Sequence, residues 1–170
     1  IYVLWAAALF GTVFFASTGI NIYTGIALFT FQSLMFGPFL GLIMLEMDEN
    51  DGYKALKIVF LVTLLTGLIG YSDIYSFSEN TYFAVFLLVC LLGLILFEFI
   101  RVIKGFSRQA IRAKAIFGAF IFSLFLLFDF NLIAKGEYMS NNWDSAFELA
   151  FTIYLDIINL LLEILEAMDN

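Results

Sequence analysis

The chain has 170 residues, of which 63% are hydrophobic and only 14% charged, with a mean hydropathy of +1.00. That balance excludes an ordinary soluble domain and reads as an all-α membrane bundle in a single domain over residues 1–170. A formal charge of −7 speaks against nucleic-acid partners, and the absence of histidine removes His-ligated zinc, haem and non-haem iron.

Taken in chain order, six stretches reach the length and apolarity of a membrane span: 1–20, 26–45, 55–71, 82–100, 115–134 and 146–165. The first has no basic leader region and reads as a span rather than a targeting segment. The second carries Gly37-Pro38 at its middle, which predicts a kink and offers a hinge. Short polar connections follow: the acidic turn MDENDGYK, the loop YSDIYSFSEN, the basic run RVIKGFSRQAIRAK and the linker KGEYMSNNWDS. Cys90 lies alone in the fourth stretch, so no intramolecular disulfide forms. Tyr53, Tyr71, Tyr82, Tyr138 and Trp143 fall where an aromatic belt would place them.

Alternation of six spans puts Lys54, Lys57, Arg101, Lys104, Arg108, Arg112 and Lys114 on one side with the C-terminus, and Lys135 alone on the other. The positive-inside rule then places the C-terminus on the cytosolic or matrix side. The membrane is a mitochondrial inner membrane, another intracellular membrane or a bacterial inner membrane. Every lysine and arginine reads as a loop or helix-end residue, and Glu98 as an interfacial helix-end charge.

Two acids fall at membrane depth, where a carboxylate costs about 3 kcal/mol on insertion scales. One is Asp129 in LLFDFNLI. The other is Asp156 in FTIYLDIINLLLEIL. Glu148, Thr152, Asp156, Asn159, Glu163 and Glu166 recur at helical spacing, so the last span has a polar stripe that must face protein, water or a partner. With no deep cation in view, Asp129 and Asp156 have several options. They could share a proton, bind a hard cation such as Ca²⁺, bind water, meet an arginine from elsewhere, or belong to a water-bridged cluster that only fixes packing. An antiparallel pair of neighbouring helices leaves them about 7.5 Å apart in depth, a gap that tilt can close.

The segment LFDFNLIAKGEYMSNNWDSAFELAFTIYLDIINLLLEIL resembles the C-terminal signature of the Bax inhibitor family of transmembrane proteins. YLDIINL is its most specific element, with Asp129-Phe130-Asn131 standing where the family has Asp-Thr-Gln. LFTFQSLMFGPFLGLIM and KIVFLVTLLTGLIGYSD resemble two of the family's earlier helices. The resemblance implies a seven-helix bundle with the last helix at its centre, of which six spans are in hand. It also implies pH-dependent Ca²⁺ leak, suppression of cell death, and Asp129 and Asp156 as the proton- and ion-sensing pair; Thr152, Asn159 and Glu163 of the polar stripe are read as supporting them. No enzyme activity and no resident cofactor beyond Ca²⁺ are expected, and the partners are the lipid bilayer and other membrane subunits. A second reading keeps the fold but makes the protein a non-enzymatic accessory subunit of a larger complex. Contact of Glu163 and Glu166 with another chain's cations would favour that reading.

Overall fold

A computed structural model describes residues 22–46, 49–72, 74–136 and 143–169. Five helices account for nearly all of them: α1 Ile22–Glu46, α2 Glu49–Tyr71, α3 Thr81–Lys104, α4 Arg108–Lys135 and α5 Trp143–Met168. Four of these, α1 to α4, are long and apolar enough to cross a membrane. The expectation of six spans is therefore corrected for the described residues. The stretch 1–20 lies outside them, as does Tyr138. Residues 146–163 of α5 hold Glu148, Asp156 and Glu163, an acid load that separates α5 from its apolar neighbours.

The helices run further than hydropathy alone predicts. The basic run after α3 is nearly all helix, and only residues 105–107 connect α3 to α4. Gly105 ends α3 at φ 66°, donating its N–H to the Arg101 carbonyl, and Ser107 caps α4 by accepting from the Ala110 N–H. Asn80 caps α3 in the same way through Phe83. Each cap satisfies a backbone group that a helix end exposes, which lets polar sequence begin or finish a helix. At 1.5 Å per residue the 28 residues of α4 span about 42 Å, more than the ~30 Å hydrocarbon layer, so charged turns protrude.

The core lies along α4 and α5, which pack antiparallel. Leu126 and Ile121 of α4 and Leu160 and Leu165 of α5 are fully buried, with Ala55 and Val59 of α2 and Leu94 of α3 closing the cluster. The expectation of a central last helix is thus shared between two helices: α5 is flanked by α1, α2 and α4, and α4 by α2, α3 and α5. The exposed surfaces of α2 and α3 are Leu, Ile, Val and Phe, as a lipid-facing wall requires, with Tyr53, Tyr71 and Tyr82 exposed near the ends.

Gly70 sets the approach of α2 to α4. A Cβ there would stand 2.7 Å from the Leu127 carbonyl oxygen and 2.9 Å from the Phe130 Cβ. Gly70→Ala should push the helices apart and cost about 1–3 kcal/mol, read by thermal unfolding in detergent. An unchanged midpoint would mean that this contact is loose. Asn131 locks the same end of the bundle. Wholly buried, it accepts from the Ser78 N–H and hydroxyl and donates to the carbonyls of Gly70 and Tyr75. One amide thereby pins the α2–α3 loop onto α4.

Pro38 is accommodated inside α1, which is continuous from Ile22 to Glu46. Gly37 and Pro38 are exposed, and nothing stands within 4 Å of where a Gly37 side chain would project. Neither residue packs in the core.

Candidate functional site

Asp129 on α4 and Asp156 on α5 are 4% and 8% exposed and face each other at hydrogen-bonding range. The gap in depth expected from the sequence is thus closed. A hydrogen bond between two carboxyls needs a proton on one of them. The Oδ2 atom of each is buried without a protein partner.

Three more buried side-chain oxygens share that condition among the described residues: Gln32 Oε1 and Ser33 Oγ on α1, and Thr63 Oγ1 on α2. Their heights follow from packing register. Gly25 of α1 meets Phe147, and the Phe29 ring packs edge-on against Phe147, Phe151 and Tyr154, so the next turn of α1 stands level with Asp156. Thr63, one turn before Gly67, instead lines an apolar groove with Gly67 and Phe130 that neither aspartate enters. Buried oxygens normally have partners, and helical Ser and Thr usually bond back to the preceding turn. Here the five oxygens, on four helices, are buried without them. Gln32, 1% exposed in the described structure, was missed by the sequence reading. The available signal was an uncharged amide inside an apolar span.

No group of three or more Asp, Glu, Cys or His side chains among the described residues is placed to hold a metal ion. The aspartate pair offers two carboxyls as oxygen donors. That set is hard, as Ca²⁺ prefers, but poor in charge, so it suits weak, transient coordination rather than storage.

The polar stripe of α5 divides in two. Glu148 and Thr152 are exposed, and the Thr152 hydroxyl is spent on the Glu148 carbonyl. They do not support the aspartate pair. Asn159 is half-buried, one turn beyond Asp156. Glu163 and Glu166 belong to a separate cluster at the end of the bundle.

That cluster corrects the reading of the cations. Lys114 is not a loop residue. It lies two turns into α4, about 9 Å from its start, with a side chain 7% exposed. Its ammonium is 3.1 Å from both Glu163 oxygens and 2.8 Å from Glu166 Oε2, and it also pairs with Glu98 of α3. Arg101 bridges Glu98 and Glu166. Two cations and three carboxylates thus tie α3, α4 and α5 together, and Glu98 is a structural member rather than a free helix-end charge. Gly118 makes room for it: a Cβ there would stand 2.5 Å from the Glu163 carboxyl carbon. The cluster also brings the C-terminal end of α5 to the same end of the bundle as the basic α3–α4 connection.

No family model matches the chain. Over 164 residues, 95% of the chain, it is 26% identical to an uncharacterized protein of Helicobacter pylori, and over 163 residues 25% identical to its counterpart in a second strain. The chain spans about two thirds of the length of each, 67% and 66%.

Proposed function

We propose that this protein is a non-enzymatic, pH-sensitive Ca²⁺ leak pathway of the Bax inhibitor type, with Asp129 and Asp156 as its gate. The observation that carries this reading is the pair itself: two buried carboxyls on adjoining helices, in contact, each with an oxygen left over. Holding one proton, the pair is bonded and the two helices are drawn together. Losing that proton leaves two like charges in contact in a medium of low dielectric, and they must separate or take up a cation. Movement of α5 away from α4 would open the carboxyl oxygens of the pair to a passing hard cation. The basic end of the bundle, with the C-terminus, faces the inner side of the membrane in this reading.

Contact of Glu163 and Glu166 with another chain's cations would have supported the accessory-subunit alternative. Glu163 is engaged by Lys114, and Glu166 by Lys114 and Arg101, all of this chain, so that support is absent. Purified protein reconstituted alone into liposomes should admit Ca²⁺, followed with an entrapped indicator. A reconstituted, folded protein that admits none would overturn the proposal. The inner side can be checked separately: a cysteine placed at Ser107 should react only with reagent supplied from that side.

A further inference from the structure

We infer that the mouth of the bundle beside the α3–α4 connection binds the phosphate of an anionic phospholipid. A cavity of about 380 Å³ opens there, lined by Arg101, Arg108, Gln109, Arg112, Glu166 and Asp169, among others. Its charges are not equally free. Arg101 and Glu166 are bound to one another and to the Lys114 cluster. Arg108 reaches Asp169 only at 3.8 Å, with both side chains more than half exposed, an arrangement that contributes little. Arg112 is exposed and makes no ion pair among the described residues. The mouth therefore holds an uncompensated guanidinium, a loosely held second one and the Gln109 amide, all on the first turns of a 28-residue helix whose positive end lies there. Guanidinium forks match phosphate oxygens in pairs.

The surface below the mouth points to a lipid rather than a soluble phosphate. Residues four apart share a helix face, and Arg112 is followed on its face by Ile116 and Phe120, which are 58% and 57% exposed. A headgroup held by Arg108 and Arg112 would lay its acyl chains along Ile116 and Phe120. Val102 and Ile103, 87% and 68% exposed at the end of α3, extend the apolar surface at that level. The geometry supplies a phosphate clamp at the interface with an apolar track leading into the membrane.

The test uses the full chain in phosphatidylcholine nanodiscs with a graded fraction of phosphatidylglycerol, and reads lipid retention by native mass spectrometry. Phosphatidylglycerol should be retained about five-fold over phosphatidylcholine, and Arg112→Gln should remove most of that preference. Arg112→Lys should keep part of it, since it keeps charge but not the fork. Arg112 is exposed and unpaired, so the circular dichroism of the variants should match the wild type. Excess inorganic phosphate should not displace the lipid. Equal retention of both lipids would overturn the inference, as would an unchanged preference in Arg112→Gln. Displacement by inorganic phosphate would also overturn it, assigning the mouth to free anions.

Discussion

Lys114→Met should lower the unfolding free energy by about 3–5 kcal/mol, the cost of breaking a buried ion pair by removing one partner. The expected size follows from what is left behind. Glu163, with a side chain 12% exposed, loses the only cation paired with it among the described residues, and Glu98 and Glu166 are left to Arg101. Three carboxylates would then share one guanidinium at the junction of three helices. Glu163→Gln added to Lys114→Met should recover part of the loss, because the stranded charge is removed while its shape stays. Denaturant unfolding in detergent, read for the two single variants and the double, gives the coupling directly. A Lys114→Met loss under about 1 kcal/mol would place the cluster with solvated surface pairs and contradict its role as the fastener of α3, α4 and α5.

The second large effect falls on Asp156. Asp156→Leu leaves the Asp129 carboxyl buried beside a hydrocarbon, and should cost about 1–3 kcal/mol for the unmet hydrogen bond. Asp156→Asn keeps the size and supplies an amide donor, so Asp129 retains a partner and the bundle should melt within about 1 kcal/mol of the wild type. The two variants separate packing from chemistry. If Asn destabilises as much as Leu, the carboxyl itself holds the helices together and the site is structural. If Asn is tolerated while the response to pH disappears, the carboxyl is the titrating element.

Much of this was legible in the sequence, for identifiable reasons. Asp129 and Asp156 announced themselves because a carboxylate in an apolar run is costly wherever it points. Their contact was not legible, since it depends on how α4 packs against α5, which residue spacing does not encode. Lys114 was misplaced for a related reason. Hydropathy sees a basic run from Arg101 to Lys114 and reads a loop, whereas Gly105 and Ser107 confine the connection to residues 105–107. The run then becomes two helix ends, and a lysine that looked solvated is carried inside the bundle. The even polar stripe of α5 was a true periodicity with a mixed environment, because neighbours cover its Asp156–Glu166 portion and not Glu148 or Thr152. Asn131 and Gln32 are uncharged, and only their surroundings show what they do.

The central claim is that a proton on the aspartate pair holds the pathway shut. Its most direct test is Ca²⁺ entry into liposomes containing only this protein, measured from about pH 6 to about pH 8, for wild type and Asp156→Asn side by side. The account predicts that wild-type flux rises as the pH rises, because loss of the shared proton drives Asp129 and Asp156 apart. It predicts that Asp156→Asn, having no second charge to form, gives a flux that does not respond to pH. Wild-type flux that is flat over this range, or an Asp156→Asn variant with the wild-type pH response, would contradict it.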